Sequence, residues 1–274
     1  MLLLSDPRWQ ELRGPFGSSH RVPMLLSRLK EQYDPEVRDE LYWEQLFHQN
    51  TIYSCTYAAV PHLFMLAQTS GHLETQLDIY ISCGMFEANN PNEPDCEIPA
   101  EFARDRIALE PEAAKEIYRA YREALAVLAG LGESLVSYVR TKETEKRYFL
   151  AASAAYAGFR DAASMLTVFP DGEEYVLGCP ACGEDVYLWP DAQQSGPLLL
   201  YKEDPVFAPK KEGLRIEVRP SETIEELNWK HLYLQAKRIE DEAFLAQLPW
   251  LAGESDCPHC GVPLRLWPAL LHMF

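Results

Sequence analysis

No run of about 18 consecutive apolar residues occurs in the chain, so a membrane-spanning helix is excluded. Met1-Leu2-Leu3-Leu4 is too short for the apolar core of a secretory signal, and the expectation is a protein that is not exported. Catalytic motifs are missing as well: there is no H-E-x-x-H, no G-x-S-x-G, no phosphate-cradling G-x-x-x-x-G-K-[ST] and no G-x-G-x-x-G. Positive charge is scarce, with 25 Lys and Arg against 42 Asp and Glu, a formal net charge of −17. The deficit is spread evenly. Residues 1–170 hold 16 cationic against 24 anionic side chains, and residues 171–274 hold 9 against 18. Nucleic-acid binders release phosphate counterions through a cationic footprint, so this balance counter-indicates a nucleic-acid partner. An acidic surface instead speeds encounter with a basic protein. The bland reading is that the acidity only maintains solubility.

What is present is led by a stretch that occurs twice. Cys179-Pro180-Ala181-Cys182-Gly183 runs on to Leu188-Trp189-Pro190, and Cys257-Pro258-His259-Cys260-Gly261 runs on to Leu266-Trp267-Pro268. Both read C-P-x-C-G-x-x-x-x-L-W-P. Proline after the first cysteine presets φ, and glycine after the second supplies the positive φ that closes the turn. Such a turn aims two thiolates at one spot, and two such turns make a tetrahedral four-cysteine site, the commonest structural use of zinc. The predicted ligands are Cys179, Cys182, Cys257 and Cys260.

The 74 residues between Cys182 and Cys257 do not forbid this. Closing that loop costs about 4 kcal/mol plus a constant, whereas structural zinc contributes roughly 10 to 16 kcal/mol near neutral pH. Iron could occupy the same cage. A thioredoxin-like redox pair would need its first cysteine at a helix N-terminus. Here Tyr175-Val176-Leu177 and Val186-Tyr187-Leu188-Trp189 flank the turn and predict a β-hairpin. His259, between two ligands, is read as exposed rather than as a fifth ligand. A closed four-thiolate site offers no open position for a substrate, so the metal speaks for architecture and not for catalysis. The zinc tetrathiolate would take the net charge to about −19. Cys55, Cys83 and Cys96 have no spacing logic, and free thiols beside a metal cage fit a reducing cytoplasm.

Length and a 47% hydrophobic composition predict one or two domains. Turns and one short helix near Met24–Lys30 are expected in the first 35 residues. An amphipathic helix is expected over Glu36–Gln49 and, after Asn50-Thr51 as break and N-cap, an inner helix over Ile52–Gln68 kinked at Pro61. A third helix spans Leu73–Ala88, and 89–99 is loop. Pro111 opens a helix that Gly130 and Gly132 end. Further helices follow from near Ser134, from near Glu143 into the alanine-rich 151–155, and up to about Phe169. In the insertion between the knuckles, strands are predicted at Leu198–Lys202 and Leu214–Arg219, then a helical pattern from Glu222 to Leu251. Gly253 hands the chain to Cys257.

In residues 41–67, Trp43, Leu46, His48, Gln49, Tyr57, Ala58, Ala59, Val60, Pro61 and Leu63 form a W-x-x-L-x-H-Q turn leading into Y-A-A-V-P-x-L. This stretch resembles the first helix pair of bacterial HEAT-repeat-like proteins, some of which carry a C-P-x-C pair further on. The usual glycine after His-Gln is Asn50, which also tolerates the left-handed conformation. The resemblance covers about a tenth of the chain. It implies an α-solenoid, a binding surface and association with toxin-immunity loci, and it brings no catalytic residues.

Single residues that tempt as chemistry have simpler readings. Cys55 and His62 stand about 10.5 Å apart along one helix and cannot form a dyad. His48, His62 and His72 share no i,i+4 spacing. Glu240-Asp241-Glu242 reads as a solvated helix face. Tyr118, Tyr121, Trp229 and Tyr233 read as core.

The resulting expectation is a mainly α protein. A HEAT-like α-solenoid or helical bundle occupies 1–170, and a small α+β zinc-ribbon domain with inserted strands and helix occupies 171–274. Functionally it reads as a non-enzymatic, cytoplasmic protein-binding scaffold, an immunity protein occluding a basic toxin. The alternatives are an enzyme with its site between the two domains, and a nucleic-acid-associated zinc ribbon.

Overall fold

The computed structural model describes residues 1–103, 109–191, 197–207, 215–221 and 225–274. Mainly helical, with small antiparallel sheets, the chain divides into two compact units, Met1–Leu135 and Val136–Phe274. The junction expected near 170 falls inside the second unit, between α7 (Arg160–Val168) and β5 (Tyr175–Gly178).

The first unit opens with a 3-10 turn (Pro7–Gln10) whose N-cap Asp6 accepts the Arg8 N–H, and with a small hairpin of β1 (Arg13–Gly14) and β2 (Gly17–Ser18). Helix α1 (Val22–Glu31) buries Val22, Leu25, Leu26 and Leu29, the i, i+3, i+4, i+7 face of an amphipathic helix. The helix expected over Glu36–Gln49 is shorter and irregular. It comprises α2 (Pro35–Asp39), capped by the Asp34 carboxylate, and a π-helical turn at Glu40–Leu46. Chain direction then reverses through β3 (Phe47–His48) and β4 (Thr51–Ile52), with Gln49 and Asn50 at φ 49° and 56°. Two consecutive left-handed residues make the two-residue hairpin turn that matches strand twist, and Asn50 adopts the left-handed conformation without a glycine. Helix α3 (Ser54–Thr69) therefore starts later than expected, and the Thr56 hydroxyl, not Thr51, accepts the orphan N–H of Tyr53. Pro61 lies within α3, buried.

Helix α4 (Leu73–Ala88) occupies the predicted span. Helix α5 (Pro111–Val139) does not stop at Gly130 and Gly132 but runs through both. Gly130 faces open space. A Cβ on Gly132 would lie 2.8 Å from the Tyr80 hydroxyl, so this glycine serves close approach to α4 rather than helix termination.

In the second unit, a 3-10 turn (Glu143–Glu145) leads into α6 (Lys146–Tyr156), and α7 packs against it through Ala151, Ala152, Ala155, Ala162 and Ala163, all buried. β5, β6 (Asp185–Pro190), β7 (Leu198–Tyr201) and β8 (Arg215–Glu217) form an antiparallel sheet in sequence order. Tyr175 opposes Leu188, Leu177 opposes Val186, and Leu188 opposes Leu200, so these fully buried residues share one face. The second expected strand began at Leu214, which lies outside the described residues.

The helical pattern expected over Glu222–Leu251 begins outside them too, at 222–224. It resolves into two helices, α8 (Leu227–Ile239) and α9 (Glu242–Leu251), broken at Glu240 with φ 58°. The acidic triplet is thus a junction between helices, with Glu240 and Glu242 solvated as expected and Asp241 buried. Asp241 is 5% exposed, caps α9 by accepting the Phe244 N–H, and pairs with the buried Arg147 at 2.9 Å. Arg147 also lies 4.3 Å over the Phe244 ring, so one buried cation ties α6 to the start of α9. β9 (Glu254–Asp256), β10 (Pro263–Arg265) and α10 (Leu266–Leu271) complete the chain. No helix of the described residues is long and apolar enough to cross a membrane.

Candidate metal centre

The two C-P-x-C-G turns fold alike, down to individual hydrogen bonds. In the first, Gly183 N–H donates to the Cys179 carbonyl at 2.8 Å and Cys179 N–H to the Glu184 carbonyl at 3.0 Å. In the second, Gly261 donates to Cys257 at 2.8 Å and Cys257 to Val262 at 2.9 Å. Gly183 and Gly261 adopt φ 75° and 73°, the left-handed conformation anticipated for them. Each knuckle sits at the tip of a hairpin, β5–β6 for the first and β9–β10 for the second.

Pairing of the hairpins brings the tips together. β8 leads to Arg219, which exchanges backbone hydrogen bonds with Glu254 at the start of β9, N–H to carbonyl at 2.8 Å and 3.0 Å. Gly253 permits this, since a Cβ there would lie 2.5 Å from the Arg219 carbonyl oxygen. Across the tips, His259 Nε2 lies 3.1 Å from the Asp185 carbonyl. Since a carbonyl only accepts, Nε2 carries the proton. His259 is half-buried and acts as a strut between the knuckles.

The four sulfurs lie within 4.8 Å of one another. Cys179 to Cys260 and Cys182 to Cys257 are each 3.9 Å. A tetrahedron with metal–sulfur bonds of ~2.3 Å has edges of about 3.8 Å, so these separations suit one ion held by two residues from each knuckle. A disulfide, with sulfurs ~2.0 Å apart, is not what this spacing describes. Cys179 and Cys257 are buried beneath the site while Cys182 and Cys260 are exposed at its rim.

Backbone N–H groups converge on the sulfurs. The His259 N–H is 3.4 Å from Cys257 Sγ. Burial opposes ionisation of Cys179, but N–H groups of Cys182 and Ala181 outweigh it and lower its pKa to about 7. For Cys182 the Glu184 N–H favours the thiolate, yet burial and hydrogen bonds to Cys179, Cys260 and Cys257 push it up to about 12. One negative charge in the cluster thus makes the next harder to form, a conflict that a divalent cation removes.

The knuckles' tails diverge despite their shared L-W-P. Leu188-Trp189-Pro190 continue β6, where β7 supplies a pairing partner. Leu266-Trp267-Pro268 begin α10, whose Trp267 is buried with its indole N–H 3.1 Å from Asn228 Oδ1.

The histidines do not assemble. His48 packs on Phe16, His62 bonds the Leu2 carbonyl and His72 precedes α4. Cys55 donates to the Gln45 carbonyl at 3.3 Å, and burial raises its pKa to about 12, so it is no nucleophile. Among the described residues, the four cysteines are the sole group of three or more potential ligands.

Two polar constellations escaped sequence reasoning. Ser153 Oγ lies 3.0 Å from His231 Nε2, joining α6 to α8, and burial lowers the His231 pKa. In the first unit the Tyr57 hydroxyl donates to Glu101 at 3.0 Å and Tyr121 to Glu87 at 2.7 Å, with Asn92 Nδ2 bonding both Tyr57 and Glu101 at 2.9 Å. The second constellation lies in the core. Its hydrogen-bonded partners are separated by up to 44 residues, and no spacing rule connects them. Tyr118, Tyr121 and Trp229, read as core, are buried.

Comparison with protein-family models, with curated proteins and with solved structures finds no match to this chain.

Proposed function

We propose that Cys179, Cys182, Cys257 and Cys260 hold one structural zinc ion, and that the chain is a non-enzymatic scaffold that binds a basic protein partner. The observation that carries the zinc reading is the four-sulfur cluster built from two matching knuckles, with edges near those of a zinc tetrathiolate. All four positions are filled by protein sulfur, so the ion serves as a clasp and not as a Lewis acid. Zinc is favoured over iron because a closed four-thiolate cage on two hairpins is its commonest structural site.

The binding reading rests on charge and composition. A formal charge of −17 on helices joined by short turns offers a surface complementary to a cationic partner. The first unit is read as a HEAT-like helical array, in keeping with the W-x-x-L-x-H-Q and Y-A-A-V-P-x-L stretch that forms the π-helical turn, the β3–β4 hairpin and α3. The specific form of the proposal is an immunity protein that covers a basic toxin by surface occlusion in the cytoplasm.

Metal analysis of protein from metal-replete cells tests the first part, with one zinc per chain expected. Co-purification with the products of adjacent genes tests the second, with a basic partner expected whose binding weakens as salt rises. Absence of any such partner among the neighbours removes the immunity reading while leaving the zinc clasp standing.

A further inference from the structure

In a chain so poor in cations, one cavity has a lining that contains no carboxylate. It lies in the first unit between α1, α3 and the N-terminal segment, encloses about 370 Å³, and is walled by Leu3, Leu4, Leu26, Met65 and Leu66 with Lys30. Small-molecule sites occupy ~300–1,000 Å³ and are lined by apolar groups with a few polar ones. The wall is not a frayed end. His62 holds the Leu2 carbonyl at 2.7 Å and the Trp9 indole donates to the Leu3 carbonyl at 2.9 Å, so two side chains fix the segment that closes the cavity. His62 is thereby committed to the wall, and burial, with the charges of the N-terminus and Lys30 nearby, lowers its pKa. Met1 also lines the cavity, so its ammonium and Lys30, an exposed side chain with no ion pair among the described residues, are the charged groups beside an apolar chamber.

We propose that this cavity binds a medium-chain aliphatic monocarboxylate, its chain among Leu3, Leu26, Met65 and Leu66 and its carboxylate on the Lys30 ammonium. Ammonium groups act as point charges and not as the bidentate fork that selects phosphate or paired anions, which suits a monocarboxylate. Methionine suits a wall that must fit chains of differing length, because its unbranched thioether repacks readily. The enclosing geometry favours a small amphiphile over a protein segment.

Calorimetric titration of the full chain at pH 8 with hexanoate, octanoate and decanoate tests this, beside 1-octanol and octyltrimethylammonium as head-group controls. Binding is expected to tighten about fourfold per methylene until the cavity is full, and the alcohol and the cation are expected to bind at least tenfold more weakly than octanoate. Lys30→Glu and Met65→Glu both alter exposed positions and are expected to weaken octanoate at least tenfold with unchanged thermal unfolding. Binding without chain-length dependence, equal binding of the octyl cation, or octanoate affinity indifferent to both substitutions would overturn the proposal. So would sedimentation showing a dimer lost in Met65→Glu while octanoate fails to bind, which would assign the cavity to a second copy of the chain.

Discussion

Replacing Cys182 by serine would remove one of the four proposed ligands, at an exposed corner of the sulfur cluster, and chelation would remove the proposed ion altogether. The ion's contribution follows from the chain it closes. Without it, the described contacts that join the knuckles at 179–183 and 257–261 are the Arg219–Glu254 bridge, the Ser255 hydroxyl on the Glu217 carbonyl, the His259 strut and the packing of the hairpins. Structural zinc contributes roughly 10 to 16 kcal/mol, and closing the intervening loop costs about 4 kcal/mol, which leaves a net of roughly 6 to 12 kcal/mol. A unit spanning residues 136–274 is stable by about 7 to 20 kcal/mol in all. Chelation is therefore expected to bring the second unit to the edge of unfolding, with its melting temperature lowered by about 20 °C or more. The first unit contains none of the ligands and is expected to keep its own transition. Cys182→Ser is expected to lose the metal on dialysis and to melt like the chelated protein. Calorimetric scanning with and without chelator, alongside metal content, reads both effects. A protein that carries no metal from replete cells and melts unchanged with chelator would refute the clasp. Because thiols must lose protons to bind the ion, metal retention is also expected to fall as pH is lowered.

Other outcomes follow from single contacts. Gly130→Ala and Gly132→Ala are expected to have opposite signs. The first adds a methyl in open space on an exposed helix position and gains up to about 1 kcal/mol, while the second drives a Cβ into Tyr80 and destabilises, as paired urea titrations would read. Asp241→Ala leaves the Arg147 guanidinium buried without its carboxylate and removes the α9 cap, an expected loss of about 3–5 kcal/mol. The double variant Arg147→Met with Asp241→Asn is expected to recover most of that loss, and a double-mutant cycle that proves additive would refute the coupling. Burial lowers the pKa of His62 and His231 below the ordinary 6.5. Their folded forms resist a proton that the unfolded chain accepts, so stability is full above about pH 6.5 and falls as pH drops towards the lowered values. His62→Gln together with His231→Gln is expected to flatten that slope, and an unchanged slope in pH-dependent denaturation would show that other groups set it.

How much of this was legible beforehand depends on how local the determining contacts are. The knuckles were readable to the residue, because proline and glycine at fixed offsets dictate backbone angles that no distant contact has to supply. α4 and α5's start were readable for the same reason, through apolar periodicity and a proline at the first turn. Where sequence reasoning failed, a distant partner had overridden a local rule. Gly130 and Gly132 looked like a helix end, but α5 continues because Gly132 gives the Tyr80 hydroxyl room. Glu240-Asp241-Glu242 looked solvated, but Arg147, nearly a hundred positions earlier, draws Asp241 into the core. The expected helix over Glu36–Gln49 gave way to a π-helical turn and a hairpin, since Phe47 and Ile52 pair and bury as strand residues.

The sequence by itself determined that two equivalent turns would present four cysteines, that the chain would be mainly helical outside them, and that it would carry a large negative charge. Only tertiary structure decided that the turns meet, that one L-W-P stays in a strand while its twin coils into α10, and that an apolar chamber edged by ammonium groups and no carboxylate opens between α1, α3 and the first residues. The division has a physical origin. Turn conformation and helical periodicity depend on residues a few positions apart, whereas meeting of the sulfurs, pairing of Trp189's strand with β7, and exclusion of carboxylates from one wall depend on which distant segments share a neighbourhood.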